Sequence, residues 1–129
     1  MTYPEKLRST KAGYPFDTWR GYYPNEENNF DGMDQYTPEN CAMAQQIFDD
    51  LIDKLIDAGE GAAKTEKEKL FEQAIISLNN LNDETGGDLI ETGEREELCE
   101  LIDNICINAG LNPEDYADGQ GISDEWRDW

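Results

Sequence analysis

The chain has 129 residues, with thirty Asp and Glu against ten Lys and Arg, no histidine, and a net charge of −20. Its length suits one modest domain, and its charge excludes binding to nucleic-acid phosphates and disfavours anionic membranes. The same charge makes a basic protein surface or a cation the natural complement, and the lack of histidine removes Ser-His-Asp and Cys-His catalysis and His-containing zinc sites.

Residues 1–36 hold eight of the thirteen aromatics: Tyr3, Tyr14, Phe16, Trp19, Tyr22, Tyr23, Phe30 and Tyr36. Pro4, Pro15 and Pro24 interrupt helix formation there. Residues 1–24 carry four cations and two acids, a net +2, so residues 25–129 carry −22. The expectation is an irregular arm whose rings cover part of a helical core.

A first long helix is predicted over about 38–58. Thr37 is its N-cap and Pro38 stands where a missing N–H costs nothing. Ile47, Phe48, Leu51, Ile52, Leu55 and Ile56 repeat at helical spacing, and Gly59 stops the run. A second helix is predicted over about 66–82, with Thr65 and Glu68 as a capping box and Leu70, Phe71, Ala74, Ile75, Leu78 and Leu81 as its buried stripe. A third, over about 93–109, is capped by Thr92, turns Leu98, Leu101, Ile102, Ile105 and Ala109 inward, and ends at Gly110. Asn112-Pro113-Glu114 reads as a short turn, and Ser123 as the cap of a last turn carrying Trp126 and Trp129. The fold class is therefore all-α: an antiparallel bundle of three main helices with an aromatic N-terminal arm, in a single domain spanning 1–129.

Two segments invite a metal reading and do not sustain it. In LNDETGGDLIETGE, residues 81–94, aligning Gly87 with the glycine of a calcium loop leaves Gly86 and Gly93 at ligand positions. The segment reads as a joint. Asn82 to Gly87 end one helix, Leu89 and Ile90 bury the connector, and Glu91 and Glu94 lie at the positive end of the next. DGQGISDE, residues 118–125, brings its apolar residue one place early. Neither metal nor cofactor is expected. Cys41, Cys99 and Cys106 form no even framework, and the last two lie seven apart on a helix, about 10 Å, too far to bridge. They read as reduced core residues in a cytoplasmic protein. The absence of a long apolar stretch and of an apolar run in MTYPEKLRSTKAGYPF points the same way.

The acids are not evenly mixed with bases. Asp49, Asp53 and Asp57 recur at four-residue spacing on the first helix, and Glu96, Glu100 and Asp103 make a similar row on the third. Like-charge neighbours at this spacing cost about 0.2–0.5 kcal/mol each. The second helix differs, with Lys64–Glu68 and Lys69–Glu72 spaced to pair. The bland reading of the rows is a solvated face that keeps the chain dissolved. The functional reading makes them a docking surface for a cationic protein.

The stretches LNNLNDETGGDLIETGERE (78–96), INAGLNPEDY (107–116) and the closing WRDW together resemble a family of short, acidic, helical bacterial proteins of unknown function. The resemblance covers roughly residues 70–129 and implies a helical fold without an activity. The overall profile is also similar to that of immunity proteins, which neutralise bacterial toxins. The expected function is a non-catalytic binding module, an immunity-like inhibitor of a basic toxin or nuclease. The alternatives are a nucleic-acid mimic that blocks a DNA-binding protein, or a small metal-dependent carboxylate enzyme.

Overall fold

The computed structural model describes residues 1–129. The fold is all-α, with no strand. There are five helices: α1 (Tyr3–Ser9), α2 (Phe16–Arg20), α3 (Pro38–Ala58), α4 (Lys64–Glu84) and α5 (Thr92–Asn108), with a long loop over 21–37 between α2 and α3 and shorter links elsewhere. Short 3₁₀ turns follow at Pro113–Asp115, Ala117–Gly119 and Ile122–Glu125. No helix is long and apolar enough to cross a membrane.

The three long helices form where apolar residues return every three to four positions. α3 begins at Thr37, whose hydroxyl accepts the Asn40 N–H at 3.0 Å. α4 is longer than predicted by two residues at each end, and Ala63 precedes it without a side-chain cap. Thr65 and Glu68 therefore lie inside the helix, not at its start. Thr92 is the first helical residue of α5, not its cap, and the helix ends one residue early at Asn108. Of the Lys64–Glu68 and Lys69–Glu72 pairs, neither closes to 4.0 Å. The only ion pairs are Lys11–Asp49, Arg20–Asp17 and Arg127–Asp124. Lys64 instead lies 5.7 Å from the centre of the Tyr116 ring.

One core runs through the whole molecule, from Tyr3, Leu7, Phe16 and Trp19 in the arm to Ile122 near the C-terminus. The arm is more regular than its prolines suggest. Pro4 does not break α1 but opens it, behind a capping box between Thr2 and Glu5. α1 contacts both α3 and α5, and α2 contacts α3. The rings of Tyr14, Phe16, Trp19, Tyr22 and Tyr36 meet edge to face, with centroids 5.1–5.7 Å apart. Their polar tips reach across the fold. Tyr3 donates to the Leu55 carbonyl at 3.3 Å and Tyr36 to the Leu89 carbonyl at 2.7 Å. Each ring thus adds apolar area while its hydroxyl satisfies a distant group.

The joint between α4 and α5 behaves as its sequence implies. Leu89 and Ile90 are buried, the Gly87 N–H returns to the Asn82 carbonyl at 2.8 Å, and Asn82 Oδ1 accepts the Ile90 N–H at 2.9 Å. The C-terminal tail is held by Asn79, which donates to the Trp126 carbonyl at 2.9 Å and accepts the Asp128 N–H at 3.1 Å. Ser123 is no cap: its buried hydroxyl donates to Cys99 Sγ at 3.4 Å. Cys41 and Cys106 are buried and Cys99 is half-buried, all as free thiols. Burial pushes the Cys106 thiol up to about 12, with nearby acids adding to the shift, so its nucleophilic form is suppressed.

Candidate protein-docking face

The two acidic rows end up in different surroundings. On α3, Asp49 is half-buried and already occupied. The Tyr14 hydroxyl donates to its Oδ1 at 2.9 Å and Lys11 Nζ lies 3.3 Å from the same oxygen. Burial, then this hydrogen bond and the charges of Asp49 and Asp53, raise the Tyr14 pKa, so the phenol stays a donor. Asp53 and Asp57 are exposed, with no Lys or Arg within 4.0 Å.

On α5, Glu96 and Glu100 are exposed and equally free of cations. Together with Glu97 and Asp103 they form one wall of an open groove of about 970 Å³. The turn Ala12–Pro15 and Thr18 form the other wall, and Leu101 and Ile107 add apolar surface. Ile107 is 59% exposed. Glu97 also accepts the Trp19 indole N–H at 3.3 Å, which ties α2 to the acidic wall. The sequence reading overlooks Glu97, because no local pattern links it to Trp19, 78 residues earlier. The arm's net positive charge is the only signal that something from residues 1–24 meets the rows, and it does so at Asp49 alone.

Asp103 turns half inward beneath the C-terminal turn. Its Oδ1 is buried with no hydrogen-bond partner, and a Cβ at Gly121 (φ 112°) would come within 2.8 Å of it. Burial, and secondarily the charge of Asp124, raise its pKa above the usual aspartate value. A raised folded-state pKa means the native protein holds the proton more tightly than the unfolded chain. This contribution to stability is complete below the usual aspartate pKa and is lost as pH rises through the raised value. Asp103→Asn should therefore be more stable than wild type at neutral pH. In thermal melts across pH the advantage should shrink on acidification and vanish below the usual aspartate range; an advantage independent of pH would show that charge is not its cause.

Nowhere do three or more Cys, Asp or Glu side chains converge closely enough to share a metal ion. Only three of the thirty carboxylates have a cation within 4.0 Å. What the face offers is an unneutralised acidic wall beside a partly apolar channel, a chemistry suited to cationic side chains with aliphatic stems. No family model, curated protein or solved structure matches the chain.

Proposed function

We propose that this chain is a non-catalytic protein-binding module that docks a basic partner through the exposed acids of α3 and α5, in the manner of an immunity-like inhibitor of a basic toxin or nuclease. The observation that carries this reading is the exposure of Asp53, Asp57, Glu96 and Glu100 without any cation within 4.0 Å. The arm neutralises one member of the rows, Asp49, and brings no cation to the α5 wall. Like charges held in rows cost stability. They gain it back when a cationic surface covers them, and they speed encounter with such a surface before contact is made.

The test is association of the full chain with the basic protein it retains from native lysate, measured at low and near-physiological ionic strength. The rate constant should fall about tenfold or more across that range. Changing Asp53, Asp57, Glu96 and Glu100 together to the matching amides should slow association at low salt and flatten the salt dependence. Association that ignores both salt and the four substitutions would overturn the proposal.

A further inference from the structure

Between α2 and α3 the chain closes into a small, heavily cross-bonded loop. Asn25 Oδ1 accepts the N–H groups of Glu27 and Asn28 at 2.8 and 3.3 Å, and Asn28 Oδ1 returns the favour to the Asn25 N–H at 2.9 Å. Both side-chain amides donate to the carbonyl of Tyr23, at 2.7 and 3.0 Å. The Met33 N–H closes the neck on the Tyr22 carbonyl at 2.6 Å. Only glycine fits at 32, where a Cβ would lie 2.2 Å from that carbonyl oxygen.

This frame holds two consecutive non-glycine residues in the left-handed region, Asn29 at φ 55° and Phe30 at φ 58°. Asparagine adopts that conformation readily, but a bulky aromatic does not. The strained residue is also the most exposed aromatic of the chain. Phe30 is 68% accessible and takes no part in the ring cluster that buries Phe16, Trp19 and Tyr36. Folding therefore gains little from the ring and bears the cost of its backbone. Within four residues of it along the chain lie Glu26, Glu27, Asp31 and Asp34, all exposed, and no Lys or Arg occurs between Gly21 and Tyr36.

We propose that this loop is a preorganised docking element that inserts Phe30 into an apolar pocket rimmed by Lys or Arg on a partner protein. Buried aromatic anchors dominate binding energy at protein interfaces. A loop already locked in one conformation loses little entropy on binding. Backbone strain maintained by its surroundings is characteristic of binding sites. The acidic collar sets the sign of the pocket's rim, and only in that respect does the inference rest on the basic partner proposed above.

The experiment uses a random-peptide display library as probe, selected on the immobilised full chain. Enriched peptides should combine an aromatic or aliphatic residue with Lys or Arg, and should bind Phe30→Ala about tenfold or more weakly than wild type. Phe30→Asn should fold normally and melt a few degrees higher, because asparagine relieves the backbone strain. A lower melting point for Phe30→Asn would overturn the inference, since the ring would then serve the fold. Peptides that need Glu96 and Glu100 but ignore Phe30 would sink the loop and leave the acidic rows standing. Peptides that need Phe30 but ignore the rows would do the reverse, and a failure to enrich any peptide would also count against the loop.

Discussion

Trp19→Ala is expected to destabilise the protein by about 3–5 kcal/mol, the range for emptying a large aromatic site in a packed core. The indole is fully buried, with its ring 5.2 Å from that of Phe16 and 5.7 Å from that of Tyr36. Its N–H donates to Glu97, so the substitution also unlinks α2 from α5. Few neighbours can collapse into the space, because the surrounding rings are themselves fixed by edge-to-face contacts. A loss of this size removes a large part of the margin of a small domain. Urea titration followed by circular dichroism would show the midpoint falling while the transition stays single. A midpoint left near wild type would mean that the arm melts separately and that the long helices do not depend on it.

Lys67→Met should cost about 2–4 kcal/mol, although it swaps one long unbranched side chain for another. Lys67 is only 5% exposed. Its ammonium donates to the Glu60 carbonyl in the α3–α4 link and to the Ala109 carbonyl just past α5, both at 2.8 Å. It also lies 5.3 Å from the centre of the Tyr3 ring in α1. One cation thus satisfies the negative end of α5, a link carbonyl and an aromatic face at once. Methionine preserves the packing of the stem but leaves the two carbonyls without a donor. The loss should depend little on salt, because the group is shielded from solvent ions. A change in unfolding free energy below about 0.5 kcal/mol would place Lys67 with ordinary surface residues.

Neither Trp19–Glu97 nor Lys67–Ala109 could be read from the sequence. The partners lie 78 and 42 positions apart, and periodicity speaks only of residues within a few turns. Lys67 in particular sits among charges that look paired along α4. The pairs do not close, and the one buried cation of that helix goes to backbone oxygens instead. The caps divide in the same way. Thr37 caps α3 as expected, because Pro38 fixes where the backbone turns into the helix. Thr65 and Thr92 cap nothing, because nothing local prevents two further residues from joining the start of α4 and one that of α5.

The charge rows show both sides of this division. Spacing alone placed Asp49, Asp53 and Asp57 on α3 and Glu96, Glu100 and Asp103 on α5. Tertiary packing then separated them. Tyr14 and Lys11 took Asp49, the C-terminal turn covered Asp103, and the remaining four stayed in solvent. The strain at Phe30 was equally invisible, because Asn-Asn-Phe carries no mark of a left-handed backbone until Gly32 and the two asparagines close the loop.

By itself the sequence determined the three long helices, the glycine joints between them, the apolar stripes and the sign of the surface. All of these follow from interactions within a few residues, or from composition. Only the tertiary structure decided that the arm is helical and which helices it joins, which carboxylates remain open to a partner, and where a lysine is buried. Those outcomes depend on which distant groups meet when the apolar stripes are covered, and no short-range pattern encodes that.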